Sequence, residues 1–116
     1  MYRLKLSHHF DAAHRLELSY KSKCQNLHGH RWVVNVEITA ETLNKEGMII
    51  DFSEIKKIID ELDHKNLNDI LTFNPTAENI VIYLHEKIEA VGNFDIDSIL
   101  KVEVFESPNA SISYEN

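Results

Sequence analysis

Apolar residues recur at every second position near both ends of the chain and at every third or fourth position in its middle, and this change of period limits the possible folds. Alternation buries one face of a strand, whereas a spacing of i, i+3, i+4 and i+7 buries one stripe of a helix. In residues 2–12, Tyr2, Leu4 and Leu6 alternate with Arg3, Lys5 and Ser7, which predicts a strand. Residues 31–40, "RWVVNVEITA", predict a second, rich in Trp, Val and Ile. After the loop signal "NKEG", Ile55, Ile58, Ile59 and Leu62 trace a helical stripe opposite Lys56, Lys57, Asp60 and Glu61. Asp51 or Ser53 can cap this helix, and Glu54 stands where a capping box with Asp51 needs it. A second helix starts from Asn74 or Thr76, buries Ile80, Tyr83, Leu84 and Ile88, and stops at Gly92. Residues 98–106 and 110–115 alternate again around the turn "SPN". The order β-β-α-α-β-β predicts one α+β domain over residues 1–116, with two helices on one face of a four-stranded, mainly antiparallel sheet. Its open edges invite pairing with further copies of the chain.

A chain of 116 residues can bury one core without disulfides, and it has a single cysteine, Cys24, which forms no internal bridge. A reducing compartment, the cytoplasm, is the expectation. The N-terminus lacks the apolar run of a signal peptide, and no segment is apolar for long enough to span a bilayer. With 12 Lys and Arg against 19 Asp and Glu, the net charge of −7 disfavours a nucleic-acid backbone as partner. Residues 14–31 reverse that bias, with Arg15, Lys21, Lys23 and Arg31 against Glu17 alone. That window suits either a solvated loop or the approach of an anionic small molecule.

Inside the same window lies "CQNLHGH", residues 24–30. If the second strand reaches back to His28, then His28 and His30 point to one face, as two ligands of one metal must. Gly29 between them leaves room for another backbone to approach, and His14 can add a third nitrogen if the two strands pair. Three histidines leave a fourth position for water or substrate, whereas Cys24 as a fourth ligand would close a structural site. A metal-free Cys–His site and plain structural histidines also fit the spacing. After the first helix, Asp63 can orient His64, or the pair can be a helix end with a surface histidine. His8, His9 and His85 are expected to be structural, with His85 solvated. Glu78 falls in the first turn of the second helix, where a carboxylate meets the helix dipole. Glu106 ends a strand, where it is either solvated or able to grip a ring bearing adjacent N–H donors.

"HHFDAAHRL", "CQNLHGHRW", "MIIDF", "DHKNLN", "PTAEN" and "VFESP" stand in an order and at a spacing that resemble the 6-pyruvoyltetrahydropterin synthase family. The likeness runs from about residue 8 to the C-terminus. The three residues between Cys24 and His28 resemble the branch that forms 6-carboxytetrahydropterin rather than the pyruvoyl-forming enzymes. The resemblance implies a tunnelling fold, or T-fold, whose subunits join sheets into a barrel, commonly as a homo-hexamer with sites at subunit interfaces. It implies Zn2+ held by His14, His28 and His30, with Cys24 as catalytic base and Asp63 with His64 as a proton relay. Glu106, with Glu78 and Thr76, is implied to hold the substrate, Glu106 anchoring the pterin ring. The implied reaction converts 7,8-dihydroneopterin triphosphate to 6-carboxy-5,6,7,8-tetrahydropterin, acetaldehyde and triphosphate, toward queuosine. Arg15, Lys21, Lys23 or Lys65 would receive the triphosphate. The alternatives are a pyruvoyl-forming or folate-branch relative and a non-catalytic zinc module closed by Cys24. Arg31 and Trp32 depart from the Asn and Tyr that relatives often carry there.

Overall fold

The first alternating segment forms strand β1, Tyr2–His14, and the second forms β2, His28–Ala40; both run further than alternation alone suggests. In the computed structural model, which describes residues 1–116, they pair antiparallel, with Leu4 opposite Ile38, Phe10 opposite Trp32 and His14 opposite His28. Helix α1 (Phe52–Asp60), strand β3 (Lys65–Asn66), the single turn α2 (Leu67–Ile70) and helix α3 (Ala77–Val91) follow, and then β4 (Ile99–Ser107) and β5 (Ala110–Glu115). The sheet has five strands rather than four, in the order β3-β1-β2-β4-β5. The extra strand, β3, lies parallel to β1 beside Ala12 and Ala13. Two residues are too few to carry a period, so alternation could not announce it.

The even-numbered residues of β1, β2 and β4 face the helices. Phe10, Trp32, Val34, Val36, Ile38, Leu100, Val102 and Val104 are buried there with Ile55 and Ile59 of α1 and with Ile80, Leu84 and Ile88 of α3. Register makes this possible, since Val34 pairs with Val104, Val36 with Val102 and Ile38 with Leu100. The Phe10 and Trp32 rings stack with centroids 5.7 Å apart and planes 2° from parallel. The odd-numbered residues form the opposite, polar face, where Arg3 and Glu37 pair at 3.3 Å.

Helix boundaries follow local chemistry. The Asp51 carboxylate accepts the Ser53 N–H at 2.8 Å and caps α1, but Glu54 turns to Lys57 at 3.6 Å instead of closing a capping box. Thr76 Oγ1 accepts the Asn79 N–H at 3.1 Å at the start of α3. Helix α3 ends at Gly92, whose backbone turns extended, and a β-carbon there would run into the Phe94 ring. His85, expected to be solvated, is instead only 3% exposed. Its Nε2 donates to the Leu100 carbonyl at 3.1 Å, its Nδ1 lies 3.4 Å from Glu89, and its ring stands edge-on to Tyr114. The apolar stripe of α3 is wide enough to carry His85 inward, and a carbonyl of β4 satisfies its ring. No helix is long and apolar enough to cross a membrane.

Truncating the fully buried Phe10 removes half of the ring stack, so Phe10→Ala should destabilise the fold by about 3–5 kcal/mol. Ile82, 39% exposed, lies off the core face of α3, and Ile82→Ala should cost within about 0.5 kcal/mol. Urea titration followed by circular dichroism measures both, and equal costs would contradict this placement of the core.

Candidate metal and catalytic site

The core face of β1 and β2 continues past Phe10 and Trp32 into histidine. Pairing sets His14 directly across from His28, and alternation brings His30 to the same side. Ring centroids are 4.6 Å apart for His14 and His28, 5.2 Å for His14 and His30, and 4.8 Å for His28 and His30. Glu106, at the end of β4, completes the cluster, and one ligand-type atom from each of the four lies within 4.8 Å of the others. Cys24 is not among them, so the fourth group beside the histidines is a carboxylate.

The rings are held from behind. His14 Nδ1 donates to the Pro75 carbonyl at 2.8 Å, and His28 Nδ1 to the Asn26 carbonyl at 2.7 Å. This tautomer leaves the opposite nitrogens with lone pairs, the arrangement typical of histidines that bind metal. Trp32 stands edge-on to His14 at 4.9 Å and to His30 at 5.3 Å and limits their rotation. Glu106 Oε1 lies 3.0 Å from His30 Nε2 and 3.5 Å from His14 Nε2. Yet both nitrogens are buried without an aligned hydrogen-bond partner. Two orphaned imidazole nitrogens beside a carboxylate are costly for a protein alone and suited to a shared cation. Burial pushes His14 and His30 below the usual histidine range, and the nearby carboxylate only partly offsets it. Both rings are therefore neutral at neutral pH, as ligands must be. A β-carbon at Gly29 would meet nothing nearer than the Ala12 carbonyl at 3.9 Å, so no backbone needs the room expected there.

Asp63 and His64 form a second unit. Asp63 Oδ2 accepts from His64 Nδ1 at 2.8 Å, and Oδ1 accepts the Asp11 N–H at 2.8 Å. The His64 N–H in turn donates to the Asp11 carbonyl at 2.6 Å. His64 has φ of +58°, a conformation uncommon for a residue with a β-carbon, and its side chain is 80% exposed. The backbone bonds to Asp11 hold that strain. Arg31 grips the Asp11 carboxylate with bonds of 2.9 and 3.1 Å, which hold it below the usual carboxylate range. Asp63 is held low by the Asp11 N–H and then by His64.

Cys24 is partly buried in a short 3-10 turn, Lys23–Gln25, whose N-cap Ser22 accepts the Cys24 N–H on Oγ at 3.2 Å and donates its own N–H to Gln25 Oε1 at 3.2 Å. Its carbonyl accepts the Leu16 N–H at 2.9 Å. Thr76 and Glu78 stand at the start of α3, just beyond Pro75; the Thr76 hydroxyl serves the helix cap and Glu78 is exposed. Two hollows flank this end of the sheet. One, of about 660 Å³, is lined by Val33, Phe105 and Pro108 with Glu106 and His30; the other, of about 560 Å³, by Arg31, His64 and Lys65. The Pro75 and Asn26 carbonyls and the Asp11–Arg31 pair escaped sequence reasoning. Backbone acceptors leave no compositional trace, and the ion pair depends on the β1–β2 register.

Residues 3–116 match the family model described as 6-pyruvoyl tetrahydropterin synthase. A Pyrococcus abyssi protein is 49% identical over 90% of this chain, and the chain spans 62% of that relative's length. A Rickettsia bellii protein named 6-carboxy-5,6,7,8-tetrahydropterin synthase is 32% identical, covering 89% of this chain and 92% of its own. A Pyrococcus furiosus protein named dihydroneopterin monophosphate aldolase is 41% identical over 68% of each chain. The solved structure of Caenorhabditis elegans 6-pyruvoyl tetrahydropterin synthase superposes with a TM-score of 0.77 at 29% identity, covering 99% of this chain and 95% of that one.

In the metal-free protein, the unfolded chain takes up protons on its histidines near pH 6.5, whereas buried His14 and His30 resist protonation. The unfolded state therefore binds more protons as pH falls below about 6.5, and stability declines. The urea midpoint should be lower at about pH 5.5 than at about pH 7.5; equal midpoints would mean that these imidazoles are not desolvated.

Proposed function

This chain belongs to the 6-pyruvoyl tetrahydropterin synthase family, and we propose that it is a zinc-dependent lyase converting 7,8-dihydroneopterin triphosphate to 6-carboxy-5,6,7,8-tetrahydropterin, acetaldehyde and triphosphate. The observation that carries this reading is the pair of buried, partnerless His14 and His30 nitrogens, which face one carboxylate in a cluster with His28. His14, His28 and His30 would hold zinc, which would supply Lewis acidity to the substrate side chain. The carboxy-forming relative, matched along 92% of its length, supports the choice of product.

Each remaining residue has a task in this reading. Glu106 accepts the adjacent N–H donors of the pterin ring, which lies against Val33, Phe105 and Pro108. Thr76 and Glu78 lie beside the substrate at the start of α3. Cys24 takes a proton from a side-chain carbon of the substrate. His64, held in one tautomer by Asp63, returns a proton elsewhere on the side chain. Arg31, His64 and Lys65 face the anionic tail, with Arg15, Lys21 and Lys23 as further cations. The exposed edges of β5 and β3 pair with neighbouring copies in a homo-hexameric barrel, where a second subunit covers the exposed His64.

The second reading is side-chain cleavage, favoured by the aldolase named among the relatives. Product identity separates the two. The zinc-loaded protein incubated with 7,8-dihydroneopterin triphosphate should yield 6-carboxytetrahydropterin and acetaldehyde by mass spectrometry. A pyruvoyl or cleaved product would replace this reaction with a sister one, and no turnover would refute the activity.

Cys24→Ala should keep zinc and fold while losing at least about 100-fold in kcat. His14→Ala should lose zinc, measured by metal analysis after dialysis. Release of zinc from Cys24→Ala would instead mean that the thiol is a ligand.

A further inference from the structure

Two asparagines outside the proposed catalytic set each bind one backbone residue of the segment that leaves His14. Asn68 Oδ1 accepts the Arg15 N–H at 2.8 Å, and Asn68 Nδ2 donates to the Arg15 carbonyl at 3.0 Å. Asn74 Oδ1 accepts the Glu17 N–H at 2.9 Å, and Asn74 Nδ2 donates to the Glu17 carbonyl at 2.9 Å. Each carboxamide thus reproduces the paired donor and acceptor of a neighbouring strand. Residue 16, between them, bonds the other way, its N–H reaching the Cys24 carbonyl at 2.9 Å. Residues 15–17 therefore behave as a strand with two carboxamides on one edge and the Cys24 turn on the other.

Asn74 has a second connection. Its own carbonyl accepts from Thr76 N at 2.8 Å and from Asn79 Nδ2 at 2.9 Å. The next carbonyl, that of Pro75, is the one that orients the His14 ring. We propose that Asn68 and Asn74 are positioning residues that set Cys24 relative to His14, and that Asn74 alone also sets the metal affinity of His14 through Pro75. The part concerning Cys24 rests on the lyase reading above; the part concerning metal affinity does not. Both asparagines make two bonds of similar length to one backbone residue, so they form a matched pair with different expected consequences.

Zinc affinity is measured by competition with a chromophoric chelator, and turnover by steady-state kinetics, for Asn68→Ala and Asn74→Ala. Asn74→Ala should weaken zinc binding about 10- to 100-fold and lower kcat even when saturated with zinc. Asn68→Ala should leave zinc affinity within about twofold of the parent protein while kcat falls about 10- to 100-fold with KM little changed. Asn74→Asp, which keeps the acceptor for Glu17 N–H and loses the donor, replaces the alanine variant if that one fails to fold, and should weaken zinc binding less. Equal loss of zinc in the two variants, or none in Asn74→Ala, would overturn the assignment to Asn74. Unchanged kcat in zinc-saturated Asn68→Ala would overturn the positioning of Cys24. If the parent protein binds zinc but has no turnover, the lyase reading fails while the Asn74 result still stands on affinity alone.

Discussion

The pairing of β1 with β2 is the constraint on which the rest of this molecule depends. One register places Phe10 opposite Trp32 in the core and His14 opposite His28 four residues further on. Hydrophobic burial and the gathering of the histidines are thus produced by the same ladder of hydrogen bonds. A slip of one residue would turn Phe10 and His14 together onto the polar face. The apolar stretch therefore enforces the register, at about 25 cal/mol for each Å² of apolar surface it removes from water. The histidines inherit a position that three polar groups could not have secured for themselves.

The site is in this sense an extension of the core. Trp32 belongs to both, stacked on Phe10 on one side and edge-on to His14 and His30 on the other. Its indole N–H is itself satisfied by the Ala12 carbonyl at 3.3 Å. The Asp63–His64 unit is mounted differently, on the outer edge of β1, where backbone bonds to Asp11 hold a strained turn. The histidine cluster thus comes from the interior of the sheet and the Asp63–His64 pair from its rim.

Periodicity made the long elements legible. Leu4, Trp32, Val34 and Ile38 advertise strand faces, and Ile55, Ile58 and Ile59 a helix face, because each repeats often enough to be counted. Strand β3 was not legible, since Lys65 and Asn66 pair through backbone groups every residue possesses. The burial of His85 is not legible because Glu86 and Lys87 follow it directly, while its neighbours in space, Leu100 and Tyr114, come from distant strands. At the site, His28 and His30 could be read from spacing once β2 was extended backward, and His14 followed from pairing. The place of Glu106 beside them depends on the β2–β4 register, which one strand alone does not reveal. Resemblance to a family named these residues, but the Pro75 and Asn26 carbonyls that aim the rings became visible only in three dimensions.

The connection from β1 to β2 returns the chain to a fixed partner, so a change among residues 19–21, at its exposed bend, leaves the pairing of His14 with His28 intact. Loop-closure entropy rises only with the logarithm of length, about 0.6 kcal/mol per doubling. Insertions among the exposed residues 19–21 are therefore cheap, whereas one added residue in β1 or β2 would invert a strand. Lengthening or recharging that bend would alter which anions the connection meets without moving the histidine cluster. The fold thus separates a stretch free to vary from the strands on either side of it, and the dividing line is the last backbone group that another element holds.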